Sequence, residues 1–350
     1  RLKTFLQQQD EFTDYDFEGS GMSVLLDVLA YNTHYLGYNA NMLANEMFLD
    51  SADLRSSVVS KAKQVGYTPT SSTSADAFVD VVVNNATGSS LTMSRGTKFT
   101  TTVNGISYSF VNNSELTITP SDGVYKFSNV KLNEGTLLNF KYTANTSDTD
   151  QRFIIPNNNV DTNTLTVKVQ ESSSDATTNT YTLATGITGL DSTSKVYFLQ
   201  EVENGRFEVY FGDGVLGKAI ADGNIVIFDY VVCNRNAPNG ATTFTLSGTV
   251  GGFSNATVTT ISNATNGAGP ESIESIKFNA PRDYTSQDRA VTADDYKVLV
   301  KSLYANAQSV QVYGGEDAAI PDYGKVYISI KAKSGSNLTV QTKETIKTSA

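Results

Sequence analysis

The sequence predicts a multidomain α+β protein in three parts: long N-terminal helices in an interchain bundle over residues 1–70, a β-rich middle over 71–265, and a mixed α+β part over 266–350. Three observations carry this reading. Apolar residues between Ser20 and Leu49 recur at helical spacing; from about Ala75 to Thr260 short β-branched and aromatic runs alternate with Gly, Asn, Asp and Ser; from about Gly269 helical and strand patterns alternate. A length of 350 residues accommodates two or three domains. The chain opens with Arg1 and closes on TSA inside a helical pattern, so it reads as a piece of something longer whose last domain is truncated.

The first helix is predicted over Ser20–Leu49. Met22, Leu26, Leu29, Thr33, Leu36, Ala40, Leu43 and Met47 follow alternating steps of four and three, the seam of a coiled coil. Val24, Val28, Tyr31, Tyr35, Tyr38 and Met42 form a second seam on another side. A helix with two apolar stripes has to be covered from two directions. Gly37 disfavours the isolated helix by about 1 kcal/mol, so close packing is expected to hold it. One further helix follows, at about Asp53 to Val65, stopped by Gly66 and Pro69. Two helices do not easily cover both seams, which favours packing between chains over an ordinary intrachain bundle.

In the middle, AFVDVVV, TKFTTTV, LTVKV, KVYFLQEV, RFEVYF and NIVIFDYVV suit antiparallel sheets of a sandwich or barrel. NTSDTD and ESSSDATTNT read as exposed loops. The Asn-x-Ser/Thr triplets at Asn112 and Asn255 are chance matches in a chain this rich in those residues. In the last part, Pro270 and ESIESIKFNA predict one helix, and Thr292 caps a second, ADDYKVLVKSLY, with acids at its positive end. SVQVYGG and GKVYISIKAKSG follow as strands, then LTVQTKETIKTSA as a helix.

Composition narrows the function. A net charge of -10 without a basic stripe argues against nucleic acid, whose phosphates are met by clustered Lys and Arg. No apolar run approaches the roughly 18 residues of a membrane span. The single cysteine, Cys233, lies in an apolar strand and reads as a buried structural thiol; the single histidine, His34, lies in a helix. Histidine triads and multi-histidine metal sites therefore have almost no raw material.

Three constellations invite a site. DYDFEG, residues 14–19, resembles half a calcium loop, but the twelfth position counted from Asp14 is Leu25 rather than the bidentate Glu that the cage needs. Its acids are expected to favour the helix start, with Ser20 as cap and Tyr15 and Phe17 as packing anchors. Gly212, Gly214 and Gly217 match dinucleotide spacing, yet a linker, the Asp222-Gly223 turn and a strand follow in place of a helix. The loop 211–224 is thus expected to be two tight turns built on Gly212, Asp213, Gly214, Asp222 and Gly223. Asp294 and Asp295, adjacent on a helix, diverge by about 100° and do not share a site. No catalytic, metal or cofactor site emerges.

Longer stretches carry a resemblance. VYFGDGVLGKAIADGNIVIFDYVVCNRNAPNG (209–240) and GPESIESIKFNAPRDYTSQDRAVTADDY (269–296), including Arg289 to Tyr296, resemble the phage baseplate J-like family. DEFTDYDFEGSGMSVLLDVLAYNTHYLGYNANM (10–42), DLRSSVVSKAKQVGYTPTS (53–71) and SRGTKF (94–99) are similar to the baseplate wedge proteins of T-even-like contractile-tailed phages. Residues 105–195 follow the pattern only loosely. The resemblance implies a non-enzymatic subunit of the virion's tail baseplate, assembled in the bacterial host cytoplasm. It implies pairing with itself, as a homodimer or ring, and with a larger wedge protein through the N-terminal helical bundle. Other wedge and sheath-proximal proteins are implied as neighbours, and the ring is implied to surround the hub and rearrange on sheath contraction. The alternative is a host-surface or carbohydrate-binding tail protein; a carboxylate glycosidase needs two carboxyls facing across a cleft.

Overall fold

The computed structural model describes residues 2–10, 21–184, 186, 189–286, 290–304, 306–318, 320–332 and 338–349, and divides the chain into two compact units, Arg1–Lys61 and Ala62–Ala350. The acidic stretch 14–19, Ser20 and Arg289 lie outside the described residues.

The first unit holds α1 (Leu2–Gln7) and α2 (Gly21–Asn45), and α3 (Arg55–Gln64) crosses the boundary into the second. Two expectations need correction. The sequence predicts several long helices, and the described chain has one, α2. That helix also ends at Asn45 rather than Leu49: Ser51 Oγ donates to the Asn45 carbonyl (2.6 Å), closing the C-terminal turn. The Glu46 carboxylate accepts the Asp53 and Leu54 N–H groups (2.9 and 3.3 Å), satisfying donors at the start of α3. Met47, assigned to the first seam, therefore sits beyond the helix.

The second unit is β-rich. Its first sheet runs in the order Thr245–Ser247, Lys98–Val103, Ile106–Asn112, Tyr125–Glu134, Asp76–Val83, Ala256–Thr265, with every registered pair antiparallel. Alternation places Ala77, Val79, Val81 and Val83 in the core with Phe99, Phe110, Phe127 and Leu132. Asn104 and Gly105, both at positive φ (50° and 80°), form the two-residue connection between paired Val103 and Ile106.

The second sheet runs Thr136–Thr143, Ile225–Val232, Val160–Ser172, Asp175–Leu183, Val196–Glu201, Phe207–Phe211, Phe153–Ile154, around a core of Val167, Val169, Val209, Val226, Phe228 and Tyr230. One pair departs from the expected antiparallel pattern: Thr182 and Leu183 pair in parallel with Val196 and Tyr197. The intervening residues 184–195 are enough chain for a crossover.

The first sheet is thus discontinuous in sequence, and the second is inserted within it. The crossing occurs at one residue. Tyr125–Glu134 belongs to the first sheet, Thr136–Thr143 to the second, and Gly135 between them has φ +128°; a Cβ there lies 2.3 Å from the Val232 carbonyl oxygen. The insertion's two ends meet at this point. Val232 pairs with Thr136, and the fully buried Glu134 carboxylate accepts the Asn234 N–H (2.8 Å) and Nδ2 (2.7 Å). Burial raises the Glu134 pKa, and the Asn234 bonds partly counter it.

The last part contains α4 (Ile273–Ser286), α5 (Ala293–Leu303), a hairpin of Ala307–Gly314 with Val326–Ala332, and α6 (Val340–Ser349). The helix expected to end at Ala280 continues through Pro281, because the ring removes one backbone donor while Ile276 and Ala280 are fully buried. Thr292 and Asp295 form a reciprocal capping box at the start of α5. Val300, Tyr304, Ala307, Val310 and Ile346 make a separate apolar core for this part.

Gly135→Ala is expected to destabilise the second unit by about 2 to 5 kcal/mol through steric overlap and left-handed strain. Urea unfolding checks it, and a midpoint equal to the parent's contradicts it.

Candidate functional site

Helix α2 carries the predicted packing residues, and the described chain leaves nearly all of them uncovered. Leu29, Leu36 and Leu43 from the first seam, and Val24, Val28, Tyr31, Tyr35, Tyr38 and Met42 from the second, are exposed, Leu43 at 66%. Met47, past the helix, is exposed too. Leu26 differs: it is buried within the chain at 6%, as is Ser23, near the end of α2 against which α1 packs. The side chain of Met22 lies outside the described residues.

The stripes are locally ordered. Tyr31 and Tyr35, one turn apart, meet with tilted rings, centroids 4.5 Å apart, and their hydroxyls are joined at 2.8 Å. Thr33 Oγ1 donates back to the Leu29 carbonyl (2.8 Å), removing the seam's polar position from competition for a partner. Gly37 has nothing within 4 Å of an added Cβ, so the close approach expected there is not made within this chain. Val24, Leu25, Val28, Leu29 and Leu36 present apolar surface on more than one side of the helix without a basic or acidic last or first turn. Such a surface is a continuous apolar stripe rather than a cavity lined by an acid, base or nucleophile.

The glycine loop satisfies itself. Asp213 Oδ1 accepts the Val215 and Leu216 N–H groups (2.9 Å each), bonds that lower its pKa, and Gly214 N–H donates to the Gly217 carbonyl (3.1 Å). Gly214 and Gly217 take φ of +88° and +94°, and a Cβ on Gly212 falls 2.3 Å from the Leu216 carbonyl oxygen. In the next turn Gly223 (φ +79°) donates to the Ala144 carbonyl (2.9 Å) and Asp222 Oδ1 accepts the Thr146 N–H (3.0 Å). Carboxylates and amides that a phosphate or cation would need are engaged within the fold.

The remaining candidates are placed apart. Asp294 pairs with Lys297 (2.8 Å), whereas Asp295 turns back to accept the Thr292 N–H (2.8 Å); these bonds lower both pKa values. Cys233 is buried, which pushes its thiol up to about 12. His34 stands on α2, 6.2 Å from the Tyr35 ring. Among the described residues no group of three His, Cys, Asp or Glu side chains could hold a metal ion, and no helix is long and apolar enough to cross a membrane.

Sequence reasoning missed two buried polar clusters. Glu271 accepts the Tyr67 hydroxyl (2.8 Å), Ser275 Oγ (2.7 Å) and Asn279 Nδ2 (2.9 Å), tying α4 to the segment after α3. Asp161 accepts Ser74 N–H (2.9 Å) and Oγ (2.6 Å), and Asn133 Nδ2 donates to Ser74 Oγ (3.0 Å). The only sequence signal was polar residues flanking strand runs, which solvated strand ends share.

Comparison with known proteins agrees with this assembly-type surface. Residues 1–67 match the helical domain of baseplate wedge protein gp6-like sequences, residues 139–238 the third domain of bacteriophage baseplate wedge protein gp6, and residues 292–349 C-terminal domain I of baseplate structural protein gp6. The chain is 31% identical to baseplate wedge protein gp6 of Enterobacteria phage T4 over an alignment of 378 positions, covering 99% of this chain and 55% of that one. The chain therefore spans about half the length of that relative. A cryo-EM structure of the anti-feeding prophage baseplate, 6-fold symmetrised, is matched with a TM-score of 0.24 and 11% identity over 85% of this chain and 60% of that chain, a likeness too remote to bear on the fold. The class these matches define is the phage baseplate wedge protein. Within it, the chain belongs to the gp6-like family.

Calorimetric titration of the chain with calcium or nucleotide is expected to give no heat at micromolar concentration. Gly212→Ala, by contrast, is expected to lower stability by more than about 1 kcal/mol, a shift of a few degrees in melting temperature.

Proposed function

We propose that this chain is a structural, non-enzymatic part of a bacteriophage contractile-tail baseplate wedge, and that α2 is where it joins other subunits. The observation that carries the assembly reading is the helix itself: eleven described positions across the two predicted seams of α2 are exposed, and among the described seam positions only Leu26 is buried within the chain. Identity to the T4 wedge protein along nearly the whole chain supports the baseplate setting.

On this reading the first seam and the second take different neighbours, a second copy of the chain and a larger wedge protein, through an interchain bundle of α2 helices. The later domains join other wedge and sheath-proximal proteins in the ring around the hub that rearranges on contraction. The location is the virion's tail baseplate, reached after assembly in the host cytoplasm. Neither nucleic acid nor membrane takes part. The double turn at Gly212–Gly217 and Asp222–Gly223 shapes the outer edge of the second sheet and binds no ligand.

The double substitution Leu29→Asp and Leu36→Asp tests the assembly surface. Burying one leucine contributes about 1.5 to 3 kcal/mol, so losing two is expected to weaken association by roughly two to four decades. Co-purification with the wedge partner should be abolished while the β-sheet circular dichroism of the second unit is retained. An intact complex would falsify the proposal.

A further inference from the structure

Two buried carboxylates of the second unit face the same cleft. Asp76, 8% exposed, and Asp161, 3% exposed, line a cleft of about 480 Å³. Lys131, Asn133 and Asn266 line the cleft with them on the β-sheet side. The opposite wall is Leu303, Tyr304, Thr342, Thr345 and Ile346, from α5, the residue after it, and α6. Those helices, with their hairpin, have their own apolar core. Docking them on the sheets thus covers a cleft that holds two carboxylates among apolar and polar side chains.

The charges across this cleft do not balance. Lys131 Nζ lies 3.2 Å from Asp76 Oδ2, and Asn266 Nδ2 donates to Asp76 Oδ1 at 2.6 Å. Asp161 is held by neutral donors: Ser74 N–H and Oγ, and the Asn163 N–H at 3.0 Å. Among the described residues no ion pair reaches Asp161. One ammonium, itself 54% exposed, therefore serves two buried carboxylates. A buried charge compensated only by dipoles favours either protonation or access to water.

We propose that α5, the hairpin and α6 form a flap over this cleft, seated when a carboxylate there is protonated and loosened when Asp76 and Asp161 are both ionised. The contact about which it turns is α5 against α4, where Lys301 Nζ stands 5.0 Å from the Phe278 ring centroid. One hydrogen bond across the cleft, Asn266 Nδ2 to Thr342 Oγ1, is long at 3.5 Å.

Burial raises the pKa of both Asp76 and Asp161, and Lys131 partly opposes the rise in each. A carboxylate with a higher pKa in the closed form takes up protons on closing, so closure strengthens as pH falls and weakens as pH rises through the closed-state pKa. The other titratable groups facing these two are the Tyr304 hydroxyl, across the cleft from Asp76, and the buried Cys233 thiol near Asp161. Glu134 also influences Cys233 but does not line the cleft.

Hydrogen–deuterium exchange on the 350-residue chain, corrected for intrinsic rates, tests the flap. As the pH falls from about 8 to about 4, peptides from Ala307–Gly314 and Val340–Ser349 should become progressively more protected, by at most about tenfold for each unit by which closure raises a carboxylate pKa. Peptides carrying Phe127 and Phe228 should not change. Asp161→Asn should give high protection at both pH values, and Lys131→Met should enlarge the pH effect. Asp76→Asn repeats the test if Asp161→Asn does not fold. Protection of the flap that is independent of pH in the parent chain, or a pH effect that survives in the Asn variants, overturns the proposal.

Discussion

The second unit depends on the crossing at Gly135. One chain leaves the first sheet at Glu134 and enters the second at Thr136, while the returning strand ends at Val232, directly opposite. There is no volume for a side chain at this point, and the Glu134 carboxylate binds Asn234 just beyond the return. Because both ends of the insertion are pinned within a few ångströms, a whole sheet can be carried on the first without breaking its register. Arg95 adds a second tie, reaching from the first sheet's connection to Thr166 Oγ1 (2.9 Å) and the Thr164 carbonyl (3.0 Å) of the inserted sheet.

The N-terminal unit follows the opposite principle. Where the sheets bury Phe99, Phe110 and Phe228, α2 leaves leucines, valines and tyrosines in water on more than one side. Helical periodicity alone does not stabilise a helix of this composition; covering its stripes does. On the proposed reading, an element of this kind gains its stability from neighbouring subunits, whereas the sheets are held by internal cores.

Between these extremes lies the cleft under the last part of the chain. Apolar cores resist partial opening because every exposed side chain adds to the penalty, whereas buried carboxylates regain hydration as a cleft opens. The elements of the proposed flap, α5, the hairpin and α6, carry an apolar core of their own.

Much of this was legible in local pattern. The strands around Val79, Val167, Phe207 and Phe228, the capped helix after Thr292 and the two apolar series of α2 follow from periods of two and 3.6 and from side-chain chemistry that acts within a few residues. The glycine turn at Gly212 was readable for the same reason, since Asp213 bonds only its own loop. What local pattern left undecided was which strands neighbour which. The insertion of one sheet into another, the parallel pair at Thr182 and Val196 and the meeting of Asp76, Lys131 and Asp161 all join residues separated in sequence. Polar residues at strand ends look alike whether solvated or buried. Sequence by itself determined the elements and the unfinished surface of α2; tertiary structure decided the topology and the buried charges, because long-range pairing and desolvation depend on what folds against what.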